Sequence, residues 1–160
     1  MERCRFKAKV EKLLHAGFIY PIPLIDWVSN IVPVTKKQGT IRVCVDYQVI
    51  NKVCPKYNYP MPYIDQIVDD CAINEIFSFM DGFSPYNKIN ALPADQPKTM
   101  FICPWGTFYY YKLPFRLKNV GATFQRAMSY SFHDIKHIVQ PYLDKLPAHY
   151  LCREDHPIHL

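Results

Sequence analysis

The run Ile76-Phe77-Ser78-Phe79-Met80 is β-branched and aromatic, and it stops at a carboxylate and a glycine, Asp81-Gly82. Such a short apolar run reads as a buried strand. A carboxylate directly at its end is costly inside a core unless a cation meets it there. The glycine that follows lets another backbone or a phosphate come close, because no Cβ stands in the way. Tyr86 then places an aromatic ring a few residues further on. Taken alone, the same letters also fit a strand ending in a solvated Asp at a turn, the commoner outcome for an isolated Asp-Gly. The rest of the chain decides between the two.

At 160 residues the chain is long enough for one domain with a real core, or for a piece of something larger. Fourteen prolines against five glycines favour fixed connections and broken elements over flexible linkers. No apolar stretch approaches membrane-spanning length, and the basic start Met1-Glu2-Arg3-Cys4-Arg5 leads into no signal-peptide core. The expectation is an intracellular protein, cytoplasmic or nuclear, with no membrane partner and no small-molecule cofactor. Six cysteines without a CxxC pair read as free thiols, mostly packed in the core. The net charge of +5 is unevenly spread. Residues 1–56 carry ten Lys/Arg against four acids, residues 57–100 two against six, and residues 101–160 seven against four. An acidic middle between basic flanks suits a protein that holds a polyanion with its flanks and a cation at its centre.

Periodicity supplies the elements. Phe6, Val10, Leu13 and Leu14 repeat at helical spacing and Gly17 stands where a C-cap belongs, predicting a helix from Phe6 to Ala16. Phe18 to Asn30 reads as irregular and extended. Ile31–Thr35 and Ile41–Tyr47, joined by Lys36-Lys37-Gln38-Gly39-Thr40, predict a hairpin carrying the cations Lys36, Lys37 and Arg42. Asn51–Pro62 reads as a connector rich in Pro and Tyr. Tyr63–Cys71 predicts a short helix into the opening strand, and a return segment follows Tyr86 through Ile89. Thr99–Cys103 and Thr107–Tyr111 predict a second hairpin around Pro104-Trp105-Gly106. Ala122–Ile135 predicts an amphipathic helix, and short extended runs flank Tyr142-Leu143-Asp144-Lys145.

Asp81 therefore ends one strand, and Asp144 lies in a turn between two others with a helix in between. Nucleotidyl transfer needs carboxylates that converge from separate elements on divalent metals, plus cations to hold a triphosphate. The basic hairpin at Lys36, Lys37 and Arg42 could provide the latter.

With these residues in view, the chain closely resembles the reverse transcriptase domain of long-terminal-repeat retrotransposons of the Ty3/gypsy type, especially those of plant genomes. The similar segments run nearly end to end: Val10–Ile19, Trp27–Asn30, Lys36–Tyr47, Ile50–Lys52, Phe77–Ser84, Leu113–Phe115, Ala122–Arg126 and Tyr142–Asp144. The resemblance implies an α+β right-hand polymerase fragment: an antiparallel palm sheet backed by helices, a basic fingers hairpin, and no thumb. Fingers would take about residues 1–59 and 90–119, palm about 60–89 and 120–160. It implies Asp81 and Asp144 as catalytic carboxylates, with the Gly82 carbonyl beside them, on a two-ion Mg²⁺ or Mn²⁺ site. Lys36 or Lys37, Arg42, Phe83, Ser84, Tyr86 and Phe115 would contact the incoming nucleotide, with Tyr86 excluding a ribose 2′-hydroxyl. RNA or DNA template-primer and deoxynucleoside triphosphates would be the partners.

Several positions depart from the family pattern. Lys145 stands where the second Asp of a Tyr-x-Asp-Asp turn belongs, exchanging a metal ligand for a cation. The loss expected is on the order of a thousandfold in rate or more. Arg116 replaces the glycine of a Pro-Phe-Gly loop. Pro85 replaces a small residue before Tyr86 and removes an N–H. Gln48 stands where an Arg is usual, and the chain ends at Leu160. The expectation is a degenerate, truncated copy with polymerase activity lost or severely impaired. The alternative is a non-catalytic remnant that binds nucleic acid or a protein partner. A zinc module from His149, Cys152, His156 and His159 is a minor reading, since Pro157 interrupts it and no CxxC supports it.

Overall fold

A computed structural model describes residues 2–23, 27–35, 41–82 and 85–150. In chain order the elements are α1 (Glu2–His15), β1 (Ile19–Pro21), β2 (Ser29–Thr35), β3 (Ile41–Val45), α2 (Gln48–Val53), α3 (Ile64–Ala72) and β4 (Ile76–Asp81). Two 3-10 turns follow, Pro85–Lys88 and Gln96–Thr99, then β5 (Phe101–Cys103), β6 (Gly106–Tyr110), α4 (Val120–Ser131) and β7 (Lys145–Tyr150). The mixture is α+β. The chain divides into two compact units, one of residues 1–55 and 86–120, the other of residues 56–85 and 121–160.

The first unit is built on a five-stranded sheet in the order β1-β6-β5-β2-β3. Its pairings are antiparallel except β2 with β5, where Ser29 and Asn30 run parallel to Phe101 and Ile102. The β2–β3 pairing, from Thr35↔Ile41 to Ile31↔Val45, is the hairpin that its β-branched residues predict. Helix α1 lays Phe6 and Val10 on this sheet, where they join Ile19, Val45, Tyr47, Phe101, Cys103, Phe108 and Tyr110 in one core. Phe101 and Ile19 have no exposed surface, and each contributes about 2 kcal/mol or more through burial. The helix stops at Gly17, whose φ of +68° is a conformation that a Cβ disfavours. There Gly17 N–H reaches the Leu14 carbonyl and Phe18 N–H the Leu13 carbonyl, satisfying carbonyls the helix would otherwise leave open.

In the second unit β4 and β7 pair antiparallel, from Ile76↔Tyr150 to Asp81↔Lys145. Met80, Leu146, Ile138 and Phe132 pack around the buried Val139, Ala148 and Tyr150. Helix α3 buries Ile67 and Cys71, and α4 buries Phe124 and Gln125.

Four expectations change or sharpen. Strand β4 is not buried through its length: it alternates, and Phe77 and Phe79 stand 52% and 68% exposed on its outer face. The return segment expected after Tyr86 takes the form of a 3-10 turn, Pro85–Lys88, in keeping with the φ that proline imposes. Asn51–Pro62 is not all connector, because α2 occupies its start. Of the described cysteines, Cys71 and Cys103 are buried, Cys44 and Cys54 half-buried and Cys4 exposed, so core packing describes only two of them.

Candidate active site

The two motif carboxylates belong to the second unit, and backbone pairing brings their segments together. Strand β4 ends on Asp81, directly opposite Lys145, the first residue of β7. Gly82 N–H then donates to the Asp144 carbonyl at 2.7 Å. Tyr142 and Lys145 exchange reciprocal backbone hydrogen bonds at 2.9 and 3.0 Å, closing a two-residue loop of Leu143 and Asp144. Leu143, the first of the pair, has φ +52°, the position and sign for which two-residue hairpin loops ordinarily use glycine.

Lys145 decides the electrostatics. Its Nζ donates to Asp81 Oδ1 at 2.7 Å, and both side chains are largely exposed, at 55% and 72%. The hydrogen bond to Asp81 is the largest influence and raises the Lys145 pKa; desolvation opposes it, and the charges of Asp81 and then Asp144 raise it further. An ammonium thus holds one oxygen of the first carboxylate. Among the described residues no three His, Cys, Asp or Glu side chains gather as metal ligands. Two carboxylates, one of them already bonded to an ammonium, do not fit a two-ion centre, whose metals need every nearby negative charge.

The other expected site residues lie in the first unit or outside the described residues. Tyr86 sits in the 3-10 turn with its ring 5.8 Å from that of Phe115. Phe115 and Arg116 edge a cavity of about 560 Å³ that also meets Lys9, Val43 and Tyr47. Arg116 has φ +81°, so the arginine occupies a backbone conformation suited to glycine. Asn51 secures that loop: its Nδ2 donates to the Arg116 carbonyl at 2.8 Å and its Oδ1 accepts from Lys118 N–H at 2.8 Å. Arg42 is in β3, in register with Val34. Lys36, Lys37, Phe83 and Ser84 lie outside the described residues. Of the C-terminal quartet, His149 is buried against Asn74 and Gln140, and Cys152, His156 and His159 also lie outside.

Sequence patterning overlooked Gln125. It is fully buried in α4, accepts from Leu143 N–H and donates to the Pro141 carbonyl, each at 2.7 Å. A groove of about 700 Å³ elsewhere in the unit, edged by Tyr63, Arg126, Tyr130 and Lys136, includes neither carboxylate.

A family model described as reverse transcriptase (RNA-dependent DNA polymerase) matches residues 34–160. The chain belongs to the reverse transcriptase family. This reverse transcriptase domain is 33% identical over 129 residues to the Transposon Tf2-7 and Tf2-3 polyproteins of Schizosaccharomyces pombe, covering 79% of the chain and 10% of each relative. It therefore spans about a tenth of the length of the curated relatives it matches. Among solved structures it is similar to the foamy viral protease-reverse transcriptase in complex with RNA/DNA hybrid, with a TM-score of 0.84, 18% identity, and coverage of 98% of the chain and 21% of that one. It is likewise similar to a Prototype Foamy Virus protease-reverse transcriptase mutant, with a TM-score of 0.82, 19% identity, and coverage of 96% and 20%. These likenesses establish the α+β fold of part of a polymerase. The family works with divalent metal ions. Among the described residues no helix is long and apolar enough to cross a membrane.

Proposed function

We propose that this chain is the fingers and palm portion of a retrotransposon reverse transcriptase, of the Ty3/gypsy type found in plant genomes, with template-directed DNA synthesis as its ancestral activity. The first unit would correspond to fingers and the second to palm. Asp81, Asp144 and the Gly82 carbonyl would be the remaining metal-facing groups. Arg42 with Lys36 or Lys37 would hold the triphosphate, and Phe83, Ser84, Tyr86 and Phe115 would shape the nucleotide pocket. Template-primer of RNA or DNA and deoxynucleoside triphosphates are the partners this reading requires. The observation that carries it is the backbone bond from Gly82 to Asp144, which joins the two carboxylate motifs at one strand end.

The same site argues that polymerisation is lost or severely weakened in this copy. Lys145 neutralises Asp81 where Mg²⁺ or Mn²⁺ is needed, and a divalent ion placed there meets a fixed positive charge. Arg116 and Pro85 add bulk and remove a donor near the nucleotide. Primer extension on an RNA template, with Mg²⁺ or Mn²⁺, tests this for the unmodified chain and for Lys145→Asp. Extension by the unmodified chain matching the variant overturns the impairment; Lys145→Asp that neither extends primer nor binds Mn²⁺ overturns the carboxylate roles.

The Lys145–Asp81 pair also favours a second reading, a domain that binds nucleic acid without copying it. Fluorescence anisotropy with labelled template-primer would then give metal-independent binding that weakens steeply with salt.

A further inference from the structure

Gln125 spans the turn that carries Asp144. Its Oε1 accepts from Leu143 N–H and its Nε2 donates to the Pro141 carbonyl, both at 2.7 Å, while its side chain has no exposed surface. Opposite ends of one amide meet backbone groups of opposite polarity. A flipped amide would set donor against donor and acceptor against acceptor, so the orientation has one chemically sensible answer. Nε2 also lies 3.5 Å from Ser129 Oγ, one turn further along α4.

What the amide holds needs holding. Leu143 has φ +52°, which an L side chain adopts at a cost. Its side chain lies beside helix α4, with Leu143 Cδ2 3.6 Å from the place a Cβ on Gly121 would take. The bonds between Tyr142 and Lys145 fix only the ends of the loop. Rotation of the Pro141–Leu143 backbone would swing Asp144 away from Gly82.

We propose that Gln125 is a positioning residue, locking Leu143 in the left-handed conformation and so fixing the direction in which Asp144 leaves the turn. It acts through the backbone of Asp144's neighbours and touches no substrate. The proposal rests on reading Asp144 as a group of the polymerase site.

Amide hydrogen exchange of the full chain tests it. Gln125→Met keeps the buried volume and removes both hydrogen bonds. Exchange at Leu143 should quicken about ten- to a hundredfold, while His149, whose N–H bonds to the Ile138 carbonyl in the same unit, should keep its rate. Gln125→Glu in its neutral form, which burial favours, keeps an acceptor for Leu143 N–H and a donor for the Pro141 carbonyl, and should restore much of the Leu143 protection. An unchanged Leu143 rate, or equal acceleration at His149, overturns the proposal. Leu143→Gly removes the strain, so Gln125→Met should cost less stability in that background. An equal cost, or failure of the double variant to fold, would make Gln125 a general core residue and overturn the proposal as well. The underlying reading is checked apart: in Lys145→Asp, Gln125→Met should weaken Mn²⁺ binding about tenfold or more. If Lys145→Asp binds no Mn²⁺ at all, the polymerase reading of Asp144 fails while the exchange data still judge the clamp.

Discussion

Lys145 Nζ and Asp81 Oδ1 meet at 2.7 Å across directly opposed positions of β7 and β4, so the lysine that departs from the family pattern bonds the carboxylate where a metal ion was expected. Because both side chains are exposed, the pair is a matter of site charge more than of folding strength. Lys145→Ala should leave the melting temperature nearly unchanged. Lys145→Asp sets two carboxylates opposite one another, and should lower the melting temperature in chelator and recover it with Mn²⁺. Thermal scans of the three chains, with and without Mn²⁺, check this; a Mn²⁺ shift in the unmodified chain would contradict it.

The pH dependence of the pair has a definite sign. The folded-state pKa of Lys145 is raised above the ordinary 10.5 by its bond to Asp81, so the contribution is complete below that value and fades only as pH climbs past it. Through the neutral and mildly alkaline range the ammonium should stay charged. Carbon-13 NMR of the dimethylated lysine, assigned through Lys145→Arg, should show no titration there.

Arg116 occupies φ +81° where the motif resemblance expects glycine. Arg116→Gly should stabilise the chain by about 1 kcal/mol, the relief of left-handed strain exceeding the entropy that glycine costs. Arg116→Ala keeps the Cβ and should gain little. Urea denaturation of both variants measures the difference.

Tyr47 is buried and donates to the Thr99 carbonyl at 2.8 Å. Tyr47→Phe should cost about 1–3 kcal/mol by leaving that carbonyl without its donor. Burial, then the nearness of Tyr110, pushes the Tyr47 pKa well above 10.0, and burial raises Tyr110 too. Their contribution is therefore present below pH 10.0 and lost as pH rises beyond it. In an ultraviolet titration both phenols should ionise only with alkaline unfolding.

Much of the fold was legible because it is locally encoded. The α1 stripe with Gly17, the β2–β3 hairpin and the turn at Pro104-Trp105 each follow from side-chain period and turn chemistry. Helix α2 escaped notice because it buries no residue and so has no apolar stripe; its one cue is the turn at Asp46, whose Oδ1 accepts from Gln48 N–H. Strand β1 is three residues long and exists through its pairing with β6, and the parallel contact of β2 with β5 has no local signature. The exposed Phe77 and Phe79 misled because hydrophobicity gives a strand's propensity without saying which face is covered. At the site, the carboxylates and the odd lysine could be read as letters. That Lys145 would grip Asp81, and that Gln125 would brace the turn, depend on pairing distant segments.

The ammonium sits beside Asp81 as a matter of strand parity. Side chains alternate faces along β7, and the Leu143-Asp144 loop sets which residue of the turn becomes the first rung opposite β4. A slip of one residue would bring Asp144 to that rung and send Lys145 to the other face. The chain's ionic character at this edge is thus written in the length of a two-residue loop as much as in the identity of the lysine.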